Sequence, residues 1–192
     1  MSPQHSNRDA LVEGTLRCLE RLPPERVTAR VIADASGANL ASIAYHFGSK
    51  DRLVTEATIV GLDQWLAEID RALQGVPQRP AAARFGRAAA AIESSRRRHT
   101  GLARAFAGAL AKAQHDARVR EMLAEGFRRT RPRLAAVLRL GDDRAGEDAA
   151  ALVHSMFTGL LLQTLLDEGL AIDGVRMERA QARLRRALPA RA

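Results

Sequence analysis

The chain has 192 residues, a formal net charge of +8, a hydrophobic fraction of 46% and one cysteine, Cys18. That apolar content suffices for a packed core and argues against global disorder, while a lone cysteine excludes an internal disulfide and suits a reducing cytoplasm. Ala, Leu, Arg and Glu dominate over β-branched and aromatic residues, the opening MSPQHSNRD lacks an apolar run, and the longest apolar stretch (Leu160–Leu166) is broken by Gln163, so the expectation is an all-α cytosolic protein without signal peptide or membrane span.

From Arg8 to Leu22, the positions Leu11, Thr15, Cys18, Leu19 and Leu22 recur at helical spacing and predict an amphipathic first helix behind a polar arm at residues 1–7. Pro23-Pro24 ends it. Thr28 is placed to cap a short second helix with Val31, Ile32 and Ala35 inward. Gly37 supplies a left-handed turn, and Asn39 caps a third helix over Leu40–Tyr45. Two short helices joined by a Gly-containing turn of about four residues fit a DNA-reading helix-turn-helix.

A longer fourth helix begins near Lys50, with the stripe Leu53, Ala57, Leu62, Trp65, Leu66, Ile69 and Leu73, and stops at the break Gly75–Pro80. Further helices are expected near Ala81–Arg98, Leu102–Gln114, Ala117–Leu140, Glu147–Asp167 and Gly174–Leu188, giving about nine in all. Pro132 should kink or split the seventh near Arg131, and Gly141–Gly146 reads as a loop.

Charge favours a polyanionic partner without locating it: residues 1–54 carry only +1 and the remainder +7. The run TARVIADASGANLASIAYHFGSKDRL over residues 28–53 is more specific. In order it holds Thr28, Ile32-Ala33, Ser36-Gly37, Asn39, Tyr45-His46-Phe47, Lys50 and Leu53, and on these residues it resembles the DNA-binding domain of the TetR family of bacterial regulators. The resemblance extends more loosely to the whole chain, including GLLLQTLLDEG (Gly159–Gly169), which is similar to the family's dimerisation helix. It implies a three-helix DNA-binding domain at residues 1–50, an effector-binding and dimerisation domain at 51–192, and a repressor released from its operator by a small molecule.

The residue chemistry is consistent with that. Small side chains at Ala41, Ser42 and Ala44 allow close approach to base edges in the major groove. Thr28, Asn39 and Lys50 stand at helix starts, where phosphate contacts form. Tyr45 and His46 offer polar groups on planar rings, Leu40 lies at the head of the recognition helix, and Arg30 is a further candidate from helix two. Phe47 and Leu53 are expected to lock the recognition helix to helices one and four.

The helix Glu147–Asp167 is apolar on most of its circumference: Leu152, Met156, Gly159, Leu160 and Gln163 form one face, and Val153, Phe157, Leu161 and Leu165 another. Such a helix is buried on two sides, one of them against a partner, and either face can be the exported one. Met177, Ala180, Leu184 and Leu188 form the stripe of the last helix, so a homodimeric four-helix bundle is expected, with Leu161, Met177 and Leu184 among its contacts. The resemblance also implies an effector cavity, for which Trp65, His99, Phe106, Gln114, His115, Met122, Phe127, His154 and Phe157 are the candidate linings. There is no P-loop, dinucleotide fingerprint, H-E-x-x-H or cysteine pair, so neither enzyme activity nor a metal or cofactor is expected. The alternative to a regulator is a helical small-molecule-binding or protein-interaction module without specific DNA binding.

Overall fold

The computed structural model describes residues 7–74 and 81–187; the arm at 1–6, the break Gly75–Pro80 and Leu188 lie outside them. The described residues form α1 (Asn7–Arg21), α2 (Ala29–Ser36), α3 (Ala41–Phe47), α4 (Lys50–Leu73), α5 (Ala81–Arg96), α6 (Thr100–Lys112), α7 (Ala117–Leu138), α8 (Arg144–Thr164) and α9 (Gly174–Ala187). Short 3-10 turns occupy Pro24–Arg26 and Glu168–Leu170, and no strand occurs among the described residues. No described helix is long and apolar enough to cross a membrane.

Helix ends depart from the sequence expectations where capping decides them. α8 starts at Arg144, three residues early, because the Asp143 carboxylate accepts from the Gly146 N–H at 2.9 Å. Pro132 does not end α7, which continues to Leu138; Arg139 beyond it takes a positive φ of 55°. In α2 the inward residues are Ile32 and Ala33, and Ala35 is exposed. The core faces the arc between Ile32 and Ala33, and Ala35, about 60° to the other side of Ile32, falls outside it.

The described residues group into two compact units, one within Met1–Trp65 and Arg98–Thr130, the other within Leu66–Arg97 and Arg131–Ala192. The core of the first joins Leu11, Val12, Cys18 and Leu19 of α1 to Val27, Ile32, Ile43, Phe47, Leu53, Ala57 and Ala105. Thr15, fully buried in this apolar setting, donates to the Leu11 carbonyl at 2.8 Å, so its hydroxyl is satisfied. Cys18 is core, as its place on the stripe predicts; burial pushes its thiol up against the opposing pull of Arg17 and Arg21.

Glycines let these helices approach closely. A Cβ at Gly14 would lie 2.7 Å from the Ser36 Cβ, and one at Gly61 would meet Leu102 and Leu16. A Cβ at Gly101 would lie 1.8 Å from the Leu19 carbonyl oxygen. α6 thus starts directly against the end of α1.

The second unit has its own polar staple. Arg84, 7% exposed, donates from Nε and an Nη to the Val137 carbonyl at 3.1 and 2.7 Å. Phe85 stacks on Phe157 with ring centroids 5.4 Å apart.

Gly101 and Gly108 on α6 should respond to alanine with opposite signs. Gly101→Ala forces the α1–α6 backbones apart and is expected to lower the unfolding free energy by about 1–3 kcal/mol or more. Gly108 has no neighbour within 4 Å of its Cβ position. Gly108→Ala should therefore stabilise by about 0.5–1 kcal/mol, the helix-propensity gain. Urea unfolding of the two variants checks both signs.

Candidate nucleic-acid interface

The α2–α3 turn is built by three local devices. The Thr28 hydroxyl accepts from the Val31 N–H at 3.3 Å and opens α2. Gly37, at φ +66°, closes it: the Ala38 N–H returns to the Ala33 carbonyl at 3.1 Å. Helix α3 begins at Ala41, one residue later than expected, yet Asn39 serves its first turn. Its Oδ1 accepts from the Ala41 N–H at 3.0 Å and its carbonyl from the Ser42 N–H at 2.9 Å.

The seven residues of α3 then divide cleanly. Ile43 and Phe47 point into the core, while Leu40 before the helix is 47% exposed and Tyr45 is 85% exposed. Ala41 and Ala44 share the outer face, and Ser42 and His46 are half-buried along one flank. Tyr45 meets His46 edge-on at 4.8 Å. Thr28, Arg30 and Asn39 are exposed on the neighbouring turn and helix. The outer face is therefore low in relief and rimmed by polar groups.

Lys50 is half-buried at the start of α4. Its Nζ donates to the Val27 carbonyl at 3.4 Å and stands 3.5 Å from the Asp51 carboxylate. Asp51 also binds Lys112 of α6, and Arg52 lies 3.8 Å from Asp116. Burial alone would raise the Asp51 carboxyl, but the lysine partners more than offset it and hold it below the usual carboxylate range.

Two residues of this surface carry no signal in the motif. Asn7 Nδ2 donates to Ser42 Oγ at 3.0 Å, and Arg8 pairs with Glu56 while its guanidinium lies 5.2 Å from the Phe47 ring centroid. They reach α3 across 35 and more residues of sequence. Only the packing of α1 on α3 brings them there.

The residues expected to line an effector cavity are divided between the two units. Trp65 (6% exposed) packs against His99 at 4.8 Å, and Phe106 (5%) against Phe127 at 6.1 Å, all in the first unit. Met122 is half-buried there, whereas His115 and Gln114 are exposed at the α6–α7 turn, where helix ends turn to solvent. Phe157 and His154 belong to the second unit. Burial, assisted by the charge of Arg131, lowers the His154 imidazole. Phe157 lines a cleft of about 30 Å³ with Ile92, Glu93, Arg96, Leu161 and Ile172. That is room for roughly one water molecule.

Among the residues expected at a dimer contact, Leu152 (75% exposed) and Leu184 (52%) are open, Gln163 is exposed, and nothing lies within 4 Å of a Cβ at Gly159. Met156 is half-buried. Leu160 and Leu161 instead line the cleft, and Met177 is 4% exposed beside them. Met177 is thus packed inside its own unit and is not available to a partner. The outward stripe of α8 continues to Leu166, 86% exposed, which was not among the expected contacts.

A helix-turn-helix with a buried inner face and a shallow outer one is the arrangement of a DNA-binding domain. Residues 11–57 match the sequence family described as bacterial regulatory proteins, tetR family. Over the whole fold the chain is similar to a transcriptional regulator from Pseudomonas aeruginosa PAO1 (23% identity, TM-score 0.67, 94% of this chain and 90% of that one). A TetR-family transcriptional regulator from Rhodococcus sp. is also similar (16% identity, TM-score 0.67, 91% and 93% covered). So is the multidrug binding protein EbrR, complexed with imidazole (20% identity, TM-score 0.66, 98% of each chain). A search of curated protein sequences finds no match. Residues 11–57 thus carry the DNA-binding domain of the tetR family of bacterial regulatory proteins, and the chain as a whole shares the fold of these regulators.

Asp51 makes the interface region acid-sensitive. A carboxyl held low when folded contributes stability that is complete above its unfolded range and disappears as pH falls through the folded value. The difference in urea midpoint between the native protein and Asp51→Asn should therefore be constant well above the ordinary carboxyl value of 3.8 and shrink as pH falls below it. A gap that persists unchanged into acid would show that the carboxylate charge is not what Lys112 and Lys50 recognise.

Proposed function

We propose that the chain represses transcription in the cytoplasm as a homodimer on a palindromic operator and leaves the DNA when a small-molecule effector binds. In this reading residues 1–50 form the DNA-binding part and 51–192 the effector-binding and dimerising part, and the protein has no catalytic role. The observation that carries it is the division of α3 into a buried side, Ile43 and Phe47, and an outer side of Leu40, Ala41, Ala44 and Tyr45. An outer face of small residues supports close groove approach, with Leu40 able to meet a thymine methyl and Tyr45 a phosphate or base edge. Thr28, Asn39 and Lys50 would hold the backbone, and Arg30, Ser42 and His46 would flank the groove contact.

Lys50 is oriented by the Val27 carbonyl and suits a phosphate partner. Lys50→Ala should weaken binding to all sequences alike and reduce the slope of log K against log salt by about one unit. Unchanged affinity and slope, measured by fluorescence anisotropy across a salt series, would remove Lys50 from the phosphate contacts.

Dimerisation is supported by the exposed Leu152 and Gln163 of α8 and Leu166 just beyond it, by the open space at Gly159, and by Leu184 on α9. Large apolar side chains left this open on one face favour a partner. A Cβ at Gly159 has no described neighbour within 4 Å, so Gly159→Arg should fold normally and yet sediment as a monomer. A Gly159→Arg protein that remains dimeric places the interface elsewhere.

Effector release is supported by the ligand complex of the EbrR relative. Trp65, His99, Phe106, Met122, Phe127 and Phe157 remain the proposed contacts, with His115 the least suited because it is exposed. α4 runs unbroken from Lys50 to Leu73. An effector that tilts it would change the spacing of two recognition helices that must enter grooves roughly 34–36 Å apart. Such coupling is typically worth about 1–3 kcal/mol and is reciprocal between operator and effector.

A further inference from the structure

We propose that Asn7, outside the recognition helix, selects the base that Ser42 reads. The inference rests on the DNA-binding reading above and concerns one hydrogen bond: Asn7 Nδ2 donates to Ser42 Oγ at 3.0 Å. A serine hydroxyl has one proton to give and two lone pairs to accept with. When the Asn7 amide occupies a lone pair, the hydroxyl is polarised toward donation, and its proton is directed away from Asn7. Ser42 lies on the flank of α3 beside the small outer residues Ala41 and Ala44, where its hydroxyl is close to any groove the helix enters. A donor there is met by purine N7, guanine O6 or thymine O4; the lone pair left free is the weaker partner, so the amino group of cytosine is met less well.

Asn7 is held for this role. The adjacent Arg8 pairs with Glu56 of α4 and lies over the Phe47 ring at 5.2 Å, which fixes the first turn of α1 against α3 and α4. α1 and α3 also share the buried core through Leu11 and Phe47. The geometry makes Asn7 a positioning residue that need not touch DNA itself.

Two substitutions separate this from a merely structural or backbone-contacting role. Asn7→Ala removes the donor; Asn7→Asp can only accept, so it draws the Ser42 proton toward itself and turns lone pairs outward. The experiment is selection from a randomised duplex library by the full-length protein, followed by affinity measurements on the selected site with each base at every position. The native protein is expected to disfavour cytosine at one position of each half-site. Asn7→Ala should relax that discrimination by roughly 3- to 10-fold, the worth of one hydrogen bond, and leave the other positions unchanged. Asn7→Asp should move the same position toward cytosine or adenine, whose amino groups donate. In the Ser42→Ala background neither change should alter the preference. Circular dichroism confirms that each variant retains the helical fold. Equal weakening on all sequences with an unchanged base preference overturns the role of Asn7. Failure of the native protein to enrich any sequence overturns the DNA-binding reading itself, and the inference with it.

Discussion

The first unit depends on the contact between the end of α1 and the start of α6, where Gly101 leaves room for the Leu19 carbonyl. A side chain at that point would collide with backbone, which cannot rotate away. With Gly61 admitting Leu16 and Leu102, the contact joins α1, α4 and α6 at van der Waals distance. Ala105 of α6 can then enter the same core as Phe47 and Ile43 of the recognition helix. The helix-turn-helix is consequently not a separate bead: its core is completed by a residue about sixty positions further along the chain.

Polar contacts repeat this arrangement at the surface. Asp51 takes Lys112 from α6 as well as Lys50, and Arg52 faces Asp116 beyond α6. Each of these pairs is partly exposed and contributes little alone. Together they tie the start of α4, next to the recognition helix, to the α6–α7 turn. The same residues that could meet a phosphate are thus in competition for internal carboxylates. In the second unit the buried Arg84 of α5 donates to the Val137 carbonyl, and Arg96 pairs with Glu93 one turn back on the same helix.

The helix-turn-helix was legible in the sequence because its determinants are local. Thr28, Gly37 and Asn39 act within a few residues of where they stand, and a cap or a left-handed turn leaves the same mark in every context. The apolar spacing of α1 and α4 and the break at Pro23-Pro24 are of the same kind. Where the sequence expectation erred locally, a neighbouring residue was decisive: Asp143 moved the start of α8 three residues earlier, and the inward turn of Ala33 beside Ile32 left Ala35 outside.

Other features were decided only in three dimensions. An apolar helix such as α8 announces two buried sides, but period alone cannot say which faces its own chain. Packing against α5 and the segment before α9 drew Leu160, Leu161 and Met177 inward and left Leu152, Gly159 and Leu166 outside. Large and polar side chains suggest a cavity without stating what each one packs against, and the structure gives Trp65 to His99, Phe106 to Phe127 and Phe85 to Phe157. Asn7 beside Ser42 is the extreme case, since a hydrogen bond over 35 residues has no periodicity to betray it. Sequence by itself determined the elements and their caps, because those energies are set by near neighbours. Which faces meet, and which side chains are left to meet another molecule, came from the close approach of helices far apart in the chain.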